Sequence, residues 1–169
     1  FPSVEQAVLY YYYIKTSFNN RLNAGWNTYK AWNTYELEIL KLSRDKLNNA
    51  TIENCDYRDL IDKHKVKPES LWYFDPPYVV TDTASYYKYN FNINDHQIMF
   101  NKINELLFFN PTAKIIISYD DVDFIREMYK NWHIKTIPVK HTTKLGVVSN
   151  ELVITNYKMI EQTNLEFGD

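Results

Sequence analysis

The feature that most constrains this chain is the run Leu71-Trp72-Tyr73-Phe74-Asp75-Pro76-Pro77-Tyr78. Four apolar or aromatic residues in succession read as a strand suited to a buried position, and two prolines follow almost at once. Each proline fixes φ at about −65° and removes a backbone donor, so the chain must leave the sheet there in a stiff turn. Open α/β sheets bind ligands beyond the carboxyl ends of their strands. At such a place Asp75 offers a carboxylate, the prolines offer carbonyls without neighbouring N–H groups, and Tyr78 offers a flat ring. Together they suit a planar base with an exocyclic amino group. The same run also reads as a plain strand-to-loop stop, because Asp-Pro and Pro-Pro are common turn signals.

The rest of the chain organises around this strand. Ser3 and Gln6 have the spacing of a capping box, and Val4, Ala7, Val8 and Tyr11 recur at helical spacing, which predicts a helix over Val4–Ser17. Residues 18–32 carry neither period and read as an irregular loop, and Leu37, Leu40 and Leu47 predict an amphipathic helix over Glu36–Leu47. Beyond it, short apolar runs alternate with helical patterns. Strands are expected at Thr51–Cys55, Leu71–Phe74, Ala113–Ser118, Ile134–Val139 and Glu151–Thr155, with helices at Tyr57–His64, Asp95–Phe109 and Val122–Trp132. This is the signature of an α/β fold with a mainly parallel sheet and crossover helices. The last two strands are expected to form a hairpin through residues 142–146. The division is a helical segment with its loop over residues 1–50 and an α/β part over 51–169.

Composition narrows the function. With 45% hydrophobic and 24% charged residues in 169, there is material for one real core. No run approaches the roughly 20 apolar residues of a bilayer span. Only three glycines occur, Gly25, Gly146 and Gly168, so no glycine-rich phosphate or cofactor loop can be assembled. The single Cys55 makes no internal disulfide, and His64, His96, His133 and His141 lack metal-ligand spacing. No metal is expected, and the setting read from this is cytoplasmic, in a bacterium, phage or virus. The 15 tyrosines, with many Asn, Lys and Ile, fit the codon bias of an AT-rich genome. A net charge of −2 gives no global attraction to nucleic acid, so any DNA contact must come from a local patch.

Asp75-Pro76-Pro77-Tyr78 after an apolar strand resembles the DNA adenine methylase family. Three further segments lift the likeness. Ile14-Lys15-Thr16-Ser17-Phe18-Asn19 is similar to that family's Asn-Arg-Thr-Ser-Phe-Asn-Gly segment, and Asn54-Cys55-Asp56-Tyr57 resembles its strand end at the cofactor's adenine. Asp95-His96, Ile115 to Ser118 and Asn150 to Tyr157 then follow in the family's order, so the likeness runs from about Val8 to Tyr157. The resemblance implies a class I methyltransferase-like, Rossmann-like sheet and methyl transfer from S-adenosylmethionine to the exocyclic nitrogen of a flipped adenine in double-stranded DNA. It implies that Asp75 and the Pro76 carbonyl, with Pro77 completing the turn, hydrogen-bond the target amino group while Tyr78 stacks on the base. Asp56, Tyr57 and Asp75 would contact the cofactor.

Arg21, Asn23, Trp26, Asn27, Tyr29 and Lys30 read either as a solvated loop or as a DNA-contacting one, with cations for phosphates and Asn and aromatic side chains for base edges. Six basic residues against four acidic ones over residues 1–50, a net of +2, weakly favour contact. Asp56 reads either as a cofactor contact or as the N-cap of the helix that follows. Tyr86–Asn94 is a candidate lid over the turn. The family's glycine-rich loop of the Phe-x-Gly-x-Gly kind has no counterpart, which implies that the first two strands are missing and that Leu71–Phe74 is an open edge. The expectation is the carboxyl-terminal part of a methyltransferase completed by a missing amino-terminal segment or a second chain. The alternative is an inactive remnant or subunit that binds DNA or a partner. An RNA or protein amino-nitrogen methyltransferase is a third reading, against which Thr16-Ser17-Phe18-Asn19 argues for DNA.

Overall fold

In the computed structural model the described residues are 3–17, 34–79, 91–140 and 148–159. They belong to two units, Phe1–Asn54 and Cys55–Asp169. The first holds helices α1 (Val4–Thr16) and α2 (Thr34–Leu47). The expected capping box is present: Gln6 N donates to Ser3 Oγ at 3.2 Å and Ser3 N to Gln6 Oε1 at 3.0 Å. At the other end Ser17 Oγ donates to the Ile14 carbonyl at 2.8 Å, one that the last turn leaves free, and Thr16 Oγ1 donates to the Tyr12 carbonyl at 2.8 Å.

The second unit contains α3 (Tyr57–His64), β1 (Leu71–Phe74), α4 (Ile93–Phe109), β2 (Lys114–Asp120), α5 (Asp123–Met128), β3 (His133–Lys140) and β4 (Val148–Thr155). Among the described residues the sheet has four strands in the order β1-β2-β4-β3. Only β1 and β2 are parallel, and β4 runs antiparallel to β2 on one side and β3 on the other. The mainly parallel sheet expected from the alternating pattern is thus corrected to a mixed one. The cause is the short link of residues 141–147, since parallel neighbours need a crossover of about a dozen residues or more and a short one returns the chain antiparallel. β4 folds back as the expected hairpin and inserts between β3 and β2.

Two further expectations change. Thr51–Cys55 is irregular instead of a strand, because Ile52, its one aliphatic residue, is exposed and the polar residues around it leave no face to bury. The helix expected over Val122–Trp132 stops at Met128, where the Tyr129 N–H bonds back to Ile125 and Trp132 N–H closes a turn on the Tyr129 carbonyl at 2.8 Å. Helix α4 starts two residues before its expected position. Asn92 caps it through the amides of Asn94 and Asp95, and Asp95 accepts from the Asn92 amide in return.

The core lies between α4 and one face of the sheet. His96, Met99, Ile103 and Leu106 form the buried stripe of α4 at spacings of three and four. Ile115, Ile117 and Tyr119 alternate along β2, and Leu152 and Ile154 do so along β4. Each such side chain contributes about 1.5–3 kcal/mol by leaving water. Asn156 continues the β2–β4 ladder with its side chain, accepting from Ile115 N at 2.8 Å and donating to the Ala113 carbonyl at 2.9 Å. Among the described residues no helix is long and apolar enough to cross a membrane.

His96 Nδ1 lies 2.9 Å from the Tyr119 hydroxyl, and burial pushes the imidazole below its ordinary value against the opposing charges of Asp120 and Asp95. The folded state therefore favours neutral His96, and its contribution is complete above the unfolded value of about 6.5 and shrinks as pH falls below it. Urea denaturation between pH 7.5 and 5 is expected to show this loss in the wild type and a flatter profile in His96→Gln. Identical profiles would remove His96 from the acid response.

Candidate active site

The site grows from the end of β1. Its register against β2 pairs Trp72 with Ile115 and Phe74 with Ile117, so the next residue, Asp75, comes level with Ser118. Side chains alternate along a strand. Trp72 and Phe74 are partly buried against the core and stack at 6.1 Å with ring planes 8° apart, while Leu71 and Tyr73 on the other face are 63% and 64% exposed. Tyr73 and Asp75 share that second face with Ser118. Ser118 Oγ donates to Asp75 Oδ1 at 2.8 Å and lies 3.1 Å from the Tyr73 hydroxyl. The turn is fixed at its far end as well, where Val79 N donates to Asp120 Oδ1 at 3.1 Å.

Tyr78 is partly buried beside Asp75. Burial first, and then the negative charges of Glu151 and Asp75, push its phenol up to about 12. The ring is therefore a neutral flat surface at physiological pH.

On the core side of β1 a cavity of about 330 Å³ opens between α3, the strand end and the start of α4. Tyr57, Leu60 and Ile61 line it from α3, Trp72 to Pro77 from the strand and turn, and Phe91 and Met99 from the segment leading into and along α4. Tyr57 and Phe91 meet edge to face at 6.5 Å. The size falls in the range of small-molecule clefts, and a largely aromatic lining suits a flat heterocycle. Lys65 and Lys102 each bridge Asp62 and Glu105 at 2.7–2.9 Å, which ties α3 to α4 alongside the cavity.

The structure thus brings Tyr57, Asp75, Pro76 and Pro77 to one cavity and sets Tyr78 next to them. Asp56 stands apart from the lining. It caps α3 by accepting from Arg58 N at 2.9 Å and forms a two-pronged ion pair with the Arg58 side chain at 2.7–2.8 Å. These bonds to Arg58 hold its carboxyl at about 2, well under the usual range. Arg21, Asn23, Trp26, Asn27, Tyr29 and Lys30 lie outside the described residues, as do positions 86–90 of the candidate lid, whose last two residues belong to α4. Sequence reasoning did not single out Ser118, Glu151 or Met99, and took Phe91 only as part of the candidate lid. A hydroxyl interrupting the apolar Ile115–Ile117 run was the available signal for Ser118; the others depend on distant pairings. Among the described residues, no cluster of His, Cys, Asp and Glu could hold a metal.

A mixed α/β sheet with Asp-Pro-Pro-Tyr at the end of its parallel strand is compatible with a methyltransferase-like fold. The chain matches the family model of D12 class N6 adenine-specific DNA methyltransferases over residues 4–145, and it belongs to that family. No curated protein gives a significant match.

The N-cap role of Asp56 is directly measurable. Asp56→Ala is expected to lower stability by about 1 kcal/mol in urea, and Asp56→Asn, which keeps an oxygen for the Arg58 amide, by less. Equal stability of Asp56→Ala and the wild type would contradict the cap.

Proposed function

We propose that this chain transfers a methyl group from S-adenosylmethionine to the exocyclic amino group of a flipped adenine in double-stranded DNA. The observation that carries the reading is the Asp75 carboxylate, held by Ser118 at 2.8 Å at the mouth of an aromatic cavity and followed by Pro76, Pro77 and Tyr78. Family membership supplies the adenine-specific reaction class.

The chemistry asks little covalent work of the protein. An amino nitrogen attached to a purine is a poor nucleophile because its lone pair is delocalised into the ring. Asp75 accepts one of its hydrogens and the Pro76 carbonyl the other, which favours a tetrahedral nitrogen with its lone pair directed outward. Tyr78 stacks on the base and fixes its plane, and Asp75 is placed to receive the proton that the nitrogen sheds. Orientation and electrostatics supply the rate. The base must leave the duplex to reach these groups, at a few kcal/mol of unstacking.

The cavity fits the adenosine part of the methyl donor, because its walls are mostly flat and apolar. Tyr57, Trp72, Phe74 and Phe91 would hold the ring system there. S-adenosylmethionine supplies an electrophilic methyl group on a sulfonium. Arg21, Asn23, Trp26, Asn27 and Lys30 are assigned to the DNA, the cations to phosphates and the others to base edges. The position of β1 at the end of the sheet supports a further element of the proposal: another strand, from the same polypeptide or a second chain, extends the sheet beside it.

The test is mass-spectrometric analysis of nucleosides from duplex DNA incubated with the protein and S-adenosylmethionine. N6-methyladenine is expected from the wild type and a loss of at least about 100-fold in Asp75→Ala, with the thermal midpoint unchanged. Methylation of cytosine instead, or full activity in Asp75→Ala, would sink the proposal.

A further inference from the structure

We propose that Ser118 is a positioning residue for methyl transfer, which takes a hydrogen bond from Tyr73 and gives one to Asp75, so that the second carboxylate oxygen faces the substrate amino group. This inference rests on the functional reading above and goes further into the same site.

The direction of the chain of hydrogen bonds follows from counting protons. Ser118 has one hydroxyl hydrogen and three neighbours: Asp75 Oδ1 at 2.8 Å, the Tyr73 hydroxyl at 3.1 Å and the Phe74 carbonyl at 3.5 Å. A carboxylate can only accept, and the bond to it is charge-assisted and short, so it takes that hydrogen. The Phe74 carbonyl is left without it. Tyr73 must then donate to Ser118, and the two bonds run the same way and polarise each other.

The backbone makes this geometry rigid. Tyr73 in β1 and Asp75 just past its end share a face, and the parallel register, continued by one residue, sets Ser118 opposite Asp75. The three groups stand on neighbouring strands of one sheet, where a 1 Å displacement is difficult. Among the described residues Asp75 Oδ2 has no partner of its own, which leaves it for the amino hydrogen. The negative charge of Glu151, on β4, acts on Tyr78 from the neighbouring strand. Glu151 comes level with Asp120 on β2, which places it on the same face.

Steady-state methylation by the wild type, Ser118→Ala, Ser118→Thr and Tyr73→Phe tests this. Loss of the hydroxyl frees the carboxylate to rotate, so kcat in Ser118→Ala is expected to fall about ten- to a hundredfold with KM for DNA and donor unchanged. Ser118→Thr restores the hydroxyl and is expected within a few-fold of wild type, and Tyr73→Phe should lie between. Wild-type kcat in Ser118→Ala would overturn the inference, as would an equal loss in Ser118→Thr or a loss that tracks a fall in thermal midpoint.

A second readout separates this inference from the functional reading. With S-adenosylhomocysteine saturating the cavity, calorimetry compares adenosine with purine riboside, which lacks the amino group. The wild type should prefer adenosine, and Ser118→Ala should lose most of that preference. If the wild type methylates no DNA, the functional reading fails, while a preference that shrinks in Ser118→Ala still supports the positioning role. No preference in the wild type, or one unchanged in Ser118→Ala, overturns it.

Discussion

The parallel pairing of Leu71–Phe74 with Lys114–Ile117 is the contact on which the rest of the site depends. One face of that pairing puts Trp72 and Phe74 against the core and forms the wall of the cavity. The other face puts Tyr73, Asp75 and Ser118 in hydrogen-bonding reach. A slip of one residue would exchange the two faces, exposing the aromatic rings and burying the carboxylate. The register is held from both sides, by burial of Ile115 and Ile117 beneath it and by the Asn156 side chain, which locks β2 to the end of β4.

Much of this was legible in the sequence because local chemistry dictates it. An apolar run followed by two prolines reads as a strand that ends, and of the two readings of Asp56 before Tyr57–His64 the N-cap is the one the structure holds. The expected strand Ala113–Ser118 and helix Asp95–Phe109 fall on β2 and α4, with their ends shifted by one or two residues. The strand order was harder to read. Alternating strands and helices suggest parallel neighbours, and nothing in the sequence of Val148–Thr155 says that it inserts between two strands. Phe91 and Met99 were missed as cavity walls because their role exists only once α4 is laid against β1.

The site also shows how one residue type serves two ends. Asp56 and Asp75 are both acidic residues at the edge of an element. Asp56 spends its oxygens on Arg58 and the first turn of α3, which is a structural use. Asp75 shares one oxygen with a serine hydroxyl and stands exposed beside a cavity. The four-charge cluster of Asp62, Lys65, Lys102 and Glu105 contributes little energy per pair, since its acids are well exposed. Its effect is geometric, because it ties α4 to α3 alongside the cavity.

The central claim is that the cavity beside Asp75 holds the methyl donor, and the most direct test is calorimetric titration of the protein with S-adenosylmethionine, with Tyr57→Ala alongside. The account predicts saturable one-to-one binding by the wild type and affinity at least about tenfold weaker in Tyr57→Ala, the loss of one stacking wall. Absence of binding by the wild type, or equal binding by the two proteins, would contradict it.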